Sequence, residues 1–414
     1  MRILWVTAQV LPEVANLIGS KKSNFGGWVT TMLDQLKNEE NIEIGVVMCA
    51  NIEYIVSEKI DEITYYIIPM VKSNKDVSID SCEKIVELFN PDLIHIEGTE
   101  FSIQNRFAKI GGIKNVVSLQ GILSGYEPYQ YGQLPISDML FSSKFFELSS
   151  AWVMLLKKHF LFNKRIQIEH DTIRNAKNIL GRTYWDRAHS YWINKDVGYF
   201  SCNRILRKSF YNQNWVYEKC EKHSIFVGNG YAALKGIHFV IEAVNLLKFE
   251  YEEIKLYVAG ISHESISGKN FKKKLGYAYY IRSLIKKLKL EKYIIFTGEL
   301  DEINMRDRLL KCNTYVLPSL IENSPNTLGE AMIMGVPCVS SYTGGASQMA
   351  KDEDEVLFYR ANDPKLLAWQ IKRVFESEEL ANDLSINAKK HAEITHDPKR
   401  NLQALLDAYS KILE

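Results

Sequence analysis

The sequence predicts an α/β protein built from two doubly wound domains, each a parallel sheet with helices on both faces. Three observations carry this. The chain has 414 residues, which at about 150 residues per domain gives roughly two to three domains. Short apolar runs alternate with amphipathic stretches in two separate series, and strands alternating with helices imply parallel sheets. Hydrophobic residues make up 46% and charged residues 24%, the balance of a globular chain rather than a disordered one.

Taken in order, Ile3–Ala8, Ile44–Cys49, Leu93–Ile96 and Val116–Leu119 read as buried strands. Their aliphatic runs suit strands covered on both faces. Trp28–Lys37 and Val77–Phe89 read as helices between them. Residues 121–195 interrupt the rhythm with a Gly/Tyr/Pro loop and a helix-rich stretch, within which Asn178–Leu180 is strand-like. Tyr211–Lys222 is polar and aromatic and reads as a linker. The second series has strands at Ile225–Val227, Lys255–Ala259, Ile294–Thr297, Thr314–Leu317 and Pro337–Ser341. Its helices are expected at Gly236–Lys248, Tyr279–Lys289, Ile303–Lys311 and Pro325–Met334. Pro398–Leu413 reads as a final amphipathic helix. The expected domains are therefore 1–210, a linker 211–222, 223–395, and a C-terminal helix 396–414 able to pack back on the first domain.

Charge and cysteine content narrow the function. Lys plus Arg is 51 and Asp plus Glu is 50, leaving a net charge of +1. That excludes a strongly basic nucleic-acid coater and an acidic solvating tail. Cys49, Cys82, Cys202, Cys220, Cys312 and Cys338 are widely spread and form no C-x-x-C pair. Neither a zinc site nor a disulfide framework is suggested, and a reducing cytosol fits best. No signal peptide is expected, because the chain opens directly into a strand-like run. No stretch approaches the roughly 18 apolar residues of a membrane span. A cytoplasmic protein is expected, peripheral at the inner face of the membrane if it touches one.

In open parallel sheets, ligands bind beyond the carboxyl ends of the strands. With two such sheets, the cleft between the domains is the expected site, and the loops after the strands are where chemistry is to be sought. The densest signal runs from Pro318 to Met332. A strand ends near Leu317, Ser324 suits an N-cap, Pro325 suits the first helical position and Gly335 suits the left-handed residue after the helix. Glu322 then lies on the loop and Glu330 inside the helix, about 8 Å along the axis from Pro325. Free backbone N–H groups and the positive end of the helix dipole lie between the two carboxylates and make an anion site. An elongated ligand with hydroxyls at both ends and a phosphate in the middle matches it.

Glu322 and Glu330 are separated by seven residues, and Ala331-Met332-x-x-Gly335-Val336-Pro337 follows. This resembles the Glu-x7-Glu signature of glycosyltransferase family 4, retaining enzymes of the GT-B fold. The resemblance implies that Glu322 faces the donor sugar hydroxyls and that Glu330 holds the ribose of the nucleotide. Asn323, Ser324, Pro325, Asn326 and Thr327, between the two, are the expected donor-binding loop and helix start. Phe226-Val227-Gly228 with Lys235-Gly236 resembles the strand–loop–helix whose Lys grips the donor diphosphate. Gly344-Gly345 resembles the family's second glycine loop. Asn229, Gly230, Gly298 and Leu300 join the expected donor-binding set. The resemblance covers the second half of the chain strongly and the first half loosely. Lys235 also has a rationale of its own, since a transferase releasing a nucleoside diphosphate must neutralise growing negative charge; the alternative is a solvent-facing lysine.

The chain departs from the family at Asn229, where an Arg assisting the Lys is expected. Either another cation substitutes, with Arg204 and Arg207 available just before the linker, or Lys235 and backbone N–H groups act alone. On the acceptor side, Gly26-Gly27 before a helix resembles the family's N-terminal glycine loop. Gly98-Thr99-Glu100 after a strand is expected to line the cleft, placing Thr99 and Glu100 there. Gln120, followed by Gly121, stands where family members often carry a His near the donor sugar. Gln hydrogen-bonds a hydroxyl but is no general base; the retaining mechanism needs none, because the departing phosphate accepts the proton. His95, within a strand, reads as a core histidine. Arg182, in Gly181-Arg182-Thr183-x-Trp185-Asp186-Arg187, resembles a block of a bacterial polysaccharide-forming branch. It either faces the cleft or pairs with Asp186. Residues 152–165 mix apolar residues with Lys157, Lys158, Lys164 and Arg165, a pattern that suits either an anionic membrane surface or a buried helix with a polar end.

The expectation is thus a retaining GT-B enzyme taking a sugar from a nucleotide-diphosphate donor to a glycan or lipid-linked acceptor in capsular, exo- or lipopolysaccharide assembly. No cofactor or metal is implied, since no Asp-x-Asp stands out after a strand, and no nucleic-acid partner is expected. The alternatives are a GT-B epimerase or phosphorylase, and a non-catalytic nucleotide-sugar-binding partner. A Rossmann dehydrogenase is disfavoured because no G-x-G-x-x-G follows the first strand.

Overall fold

The computed structural model of the protein describes residues 1–19, 27–71, 75–140, 145–262, 264, 266 and 276–414. The chain divides into two compact units. Unit 1 is Met1–Ser124, Phe162–Leu206 and His396–Glu414; unit 2 is Gly125–Leu161 and Arg207–Thr395.

The first half runs β1 (Arg2–Thr7), α1 (Gly27–Leu36), β2 (Glu43–Ala50), β3 (Val56–Ile60), β4 (Ile63–Pro69), α2 (Ile79–Phe89), β5 (Leu93–Glu97), α3 (Ser102–Ala108) and β6 (Lys114–Ser118). It continues through α4 (Leu123–Tyr126), α5 (Ile136–Leu140), α6 (Phe145–Asn175), β7 (Asn178–Gly181), α7 (Tyr184–Ile193) and β8 (Gly198–Ser201). The strands form one sheet in the order β3-β4-β2-β1-β5-β6-β7-β8. Every pairing is parallel except β3 with β4. The aliphatic runs anticipated from the sequence are β1, β2, β5 and β6, covered on both faces as a parallel sheet requires. The β3–β4 hairpin was not anticipated. β3 reads Val-Ser-Glu-Lys-Ile with its three middle residues exposed, so it has no apolar run to detect. Its charges suit an edge strand, where they discourage pairing with another chain. Asp61, at φ 51°, makes the tight turn into β4.

The second half runs β9 (Glu221–Val227), α8 (Ile237–Leu247), β10 (Lys255–Ala259), α9 (Tyr277–Leu288), β11 (Ile294–Gly298), α10 (Glu302–Lys311), β12 (Cys312–Leu317), α11 (Asn326–Ile333) and β13 (Cys338–Tyr342). β14 (Leu357–Arg360), α12 (Pro364–Glu376), α13 (Glu378–Thr395) and α14 (Pro398–Leu413) complete it. The sheet of unit 2 is wholly parallel, in the order β11-β10-β9-β12-β13-β14. Strand order therefore reverses between β9 and β12, the topological switch point of the sheet.

Two stretches join units distant from them in sequence. Residues 125–161 belong to unit 2. There the Gly132 carbonyl bonds His238 Nε2 at 3.1 Å and Asn362 Nδ2 donates to Gln133 Oε1 at 2.6 Å. α14 belongs to unit 1. Asp397 caps it, accepting from Arg400 N, and Pro398 starts it. Its Leu402, Leu405, Tyr409 and Ile412 enter a core cluster with Ile3, Trp5, Leu33, Val46 and Met48.

Candidate functional site

The loops that leave β9 and β12, on either side of the switch point, carry Lys235 and Glu322. Lys235 ends a short 3-10 turn (Ala233–Lys235), and Gly236 follows at φ +69°. A Cβ on Gly236 would lie 2.1 Å from the Pro318 carbonyl oxygen, so only glycine lets this turn approach the β12–α11 loop. Leu320 N donates to Leu234 O at 2.8 Å and joins the two loops. The result is a 2.5 Å contact between Lys235 Nζ and Glu322 Oε1.

The β12–α11 loop is held at successive residues. Ser341 Oγ donates to Ser319 O at 2.5 Å and Thr343 Oγ1 to Leu320 O at 2.6 Å. Gly345 N donates to Glu322 O at 2.9 Å. Gly344, at φ +48°, packs so close that a Cβ would sit 2.1 Å from that same oxygen. Asn323 N donates to the Tyr126 hydroxyl at 3.1 Å, and Ser319 Oγ donates to Glu322 Oε1 at 2.7 Å. Glu322 is 7% exposed, with its carboxylate bound by one ammonium and one hydroxyl.

The helix start differs from expectation by one position. Pro325, not Ser324, is the N-cap, with ψ 116° in the extended region, and no side chain caps the helix. Asn326 is the first helical residue. Leu328 N donates to Pro325 O at 3.1 Å, so the N–H groups of Asn326 and Thr327 are the ones that face outward from the helix start, where an anion can be met. Thr327 Oγ1 accepts from the Tyr315 hydroxyl at 2.8 Å. At the other end Gly335, φ +72°, closes the helix with Gly335 N on Met332 O and Val336 N on Ala331 O, both 2.9 Å, as the sequence pattern anticipated.

Glu330 lies inside α11, 3% exposed. Arg207 grips it with both prongs, Nε to Oε1 at 2.7 Å and Nη2 to Oε2 at 2.8 Å. Burial pushes the Glu330 carboxyl above the ordinary carboxylate value, and Arg207 pulls it back down. The pairing spans 123 residues of sequence, and no motif announces it.

The other residues expected on the donor side follow β9 or lie at and just after the end of β11. Asn229 is exposed, its Oδ1 accepting from Tyr231 N at 3.1 Å. Gly230 N donates to Ala259 O at 2.9 Å, and Gly260 N to Gly298 O at 2.8 Å. Leu300 is half-buried in the turn before α10. Neither proposed surrogate for the missing Arg is uncommitted: Arg207 holds Glu330, and Arg204 holds Glu97 in unit 1.

In unit 1, Gly26 lies outside the described residues, and Gly27 is the first residue of α1. Thr99 is buried, its hydroxyl 3.4 Å from Glu169 Oε2. Glu100 pairs with Arg165. Gln120 Nε2 donates to Glu97 Oε1 at 3.3 Å, and Gly121 is half-buried. The Arg182 guanidinium donates to the carbonyls of Leu119 and Gln120 (3.1 Å to the latter), whereas Asp186 accepts from its backbone N at 2.9 Å. These bonds make it a brace for the loop after β6. His95 is a core residue as expected, stacked 3.9 Å from Trp5 and bonded to the Tyr409 hydroxyl at 2.5 Å. Sequence reasoning did not find Glu169 on α6, which accepts Leu123 N at 2.6 Å and Ser124 N at 3.0 Å. Burial raises its carboxyl to about 7 despite those bonds.

Residues 210–391 match the family model described as Glycosyl transferases group 1. The matched segment contains Lys235, Glu322 and Glu330. The Uncharacterized glycosyltransferase MJ1607 of Methanocaldococcus jannaschii is 27% identical over 170 residues, 41% of this chain and 40% of that protein. The chain spans less than half the length of the curated relatives it matches. Among the solved structures that align over nearly its whole length are two whose names include a sugar phosphate and UDP. One is sucrose-phosphate synthase from Thermosynechococcus elongatus, with TM-score 0.69 and 13% identity, covering 100% of this chain and 99% of that one. The other is Anabaena Alr3699/HepE in complex with UDP, with TM-score 0.68 and 14% identity, covering 99% and 100%. At these identities the likeness is one of fold. The fold is the expected GT-B class, with a Rossmann-like parallel sheet in each of two units.

Proposed function

We propose that the chain is a retaining glycosyltransferase that moves a sugar from a nucleotide-diphosphate donor to an acceptor hydroxyl in the assembly of a bacterial surface polysaccharide. The observation that carries this is the convergence of Lys235 Nζ on Glu322 Oε1 at 2.5 Å, beside a helix whose N-terminus has no side-chain cap and whose interior bears Glu330. A diphosphate at the helix start would face Lys235 and the backbone N–H groups of Asn326 and Thr327. The donor sugar would then lie over Glu322 and the ribose toward Glu330. The bond from the anomeric carbon to the β-phosphate oxygen breaks as the acceptor oxygen bonds that carbon on the same face. The acceptor proton passes to the departing phosphate oxygen, and Lys235 neutralises the charge that grows there. The group 1 match and the UDP complex of a protein with this fold support a nucleotide-sugar donor. Gly27, Thr99, Glu100, Gln120 and Gly121 remain the proposed acceptor-side set, with Arg182 bracing Gln120.

The test is thermal stability of the full chain against UDP-, GDP-, ADP- and dTDP-sugars, followed by NMR of the product's anomeric proton. A true donor raises the melting temperature by mass action, and the product keeps the donor's anomeric configuration. A panel in which no sugar nucleotide stabilises the chain, or a product of inverted configuration, overturns the reading.

A further inference from the structure

Glu330 is nearly fully buried; among the described residues the neutral Tyr315 hydroxyl lies within its field, and the charged groups acting on it are two. One is Arg207, from the segment that precedes α10 by almost a hundred residues. The other is Glu302 at the start of α10, itself held by Ser209 N at 3.2 Å and Ser209 Oγ at 2.5 Å. Arg207 is itself fixed, its guanidinium stacked 4.5 Å from the centre of the Phe210 ring. A carboxylate offers four lone-pair sites, and a two-pronged guanidinium uses two of them. The other two remain for a diol. A buried carboxylate without a cation would take up a proton, and the resulting acid would present a donor where a ribose hydroxyl also donates.

We propose that Arg207 is a positioning residue for the donor nucleotide, fixing the Glu330 carboxylate in its ionised form and in a single plane as the acceptor of the two ribose hydroxyls. The inference rests on the proposed donor site and names what that site needs beyond the paired glutamates. It also separates two tasks that the sequence left joined: Arg207 serves the ribose end, and Lys235 serves the diphosphate. The direction of the Glu330 shift agrees, since burial raises the carboxyl, Glu302 raises it further, and Arg207 opposes both.

The experiment is calorimetry of UDP binding to the full chain between pH 5.5 and 9 for the native protein, Arg207→Gln, Arg207→Lys, Glu330→Gln and the double variant Arg207→Gln/Glu330→Gln. The terminal phosphate of UDP titrates alike in all five, so differences between proteins report the site. Without Arg207, Glu330 ionises at higher pH. Arg207→Gln should therefore lose about tenfold in affinity for each unit by which the displaced Glu330 value exceeds the pH of the measurement, and should regain it as pH rises toward 9. Arg207→Lys should show a smaller displacement. In the double variant, which keeps no unpaired buried charge and so folds even if Arg207→Gln does not, affinity should match Glu330→Gln at every pH. Loss in Arg207→Gln that is equal at all pH values, or a further loss in the double variant beyond Glu330→Gln, overturns the proposal. If Glu330→Gln binds UDP as the native protein does, the reading of Glu330 as ribose ligand fails and this proposal falls with it.

Discussion

Glu322 and Glu330 belong to one loop and helix but meet different partners, and their variants should separate. Glu322 touches Lys235 and Ser319, at the end proposed for bond breaking, so Glu322→Ala and Lys235→Ala should lower turnover at saturating donor. The loss expected is about 3 kcal/mol, roughly a hundredfold in rate. Glu330→Ala should instead weaken donor binding with a smaller effect on turnover, because the ribose is remote from the reacting carbon. Calorimetry of donor affinity beside steady-state rates checks the split; near-normal turnover in Glu322→Ala would place the chemistry elsewhere. Gly236 makes a sharper case. With φ +69° and a carbonyl 2.1 Å from where a Cβ would be, Gly236→Ala should cost about 2 kcal/mol in unfolding free energy from the left-handed backbone alone, and should displace Lys235 as well. Chemical denaturation measures the first effect and donor affinity the second.

At the scale of elements, α6 keeps an apolar stripe in solvent. Val153, Leu156 and Phe160 are 64%, 61% and 70% exposed, spaced three and four residues apart so that they share one face. Lys157, Lys158 and Lys164 are exposed near them, while Arg165 is spent on Glu100. Such a face fits the surface of an anionic bilayer, and among the described residues no helix is long and apolar enough to cross one. Sedimentation with vesicles should show binding to anionic lipid that falls with salt and falls further in Leu156→Ser/Phe160→Ser; equal binding to neutral vesicles would contradict it. What the sequence revealed at this scale follows a physical rule. Aliphatic runs announced β1, β2, β5 and β6, and the Pro, Ser and Gly pattern announced α11 to within one residue. β3 stayed hidden because an edge strand needs no apolar run. The grip of Arg207 on Glu330 and the bond of Glu169 to the start of α4 stayed hidden because each pairs residues far apart in sequence, for which local spacing holds no record.

For the whole molecule, unit 1 rests on a buried polar chain at the end of β5. Arg204 pairs with Glu97, whose carboxylate also meets His95, and His95 bonds Tyr409 of α14. Burial alone would raise the Glu97 carboxyl, but Arg204 and His95 override it and hold it far below the usual carboxylate range. Its folded value is depressed, so the stability it contributes is fully present above about pH 4.3, the value of a free Glu, and is lost as pH falls below that toward the folded value. Unfolding free energy measured from pH 6 to pH 3 should fall less steeply in Glu97→Gln than in the native chain, and equal slopes would show that the pair carries no such linkage.

Unit 1 is also assembled from three separated stretches, the last of them His396–Glu414. A ribosome releases a chain from its amino end, and amino-terminal domains usually fold first during synthesis. Here the order is inverted. The side of the amino-terminal sheet that Leu405, Tyr409 and Ile412 cover stays open until residues 396–414 have been made, whereas unit 2 ends at Thr395 and has by then emerged. A stop codon before Pro398 would therefore spare the carboxy-terminal unit and leave the amino-terminal one incomplete. Limited proteolysis of that shortened chain should release fragments from residues 1–124 while a fragment spanning 207–395 survives. Survival of both would mean that the last helix is dispensable to the unit it covers.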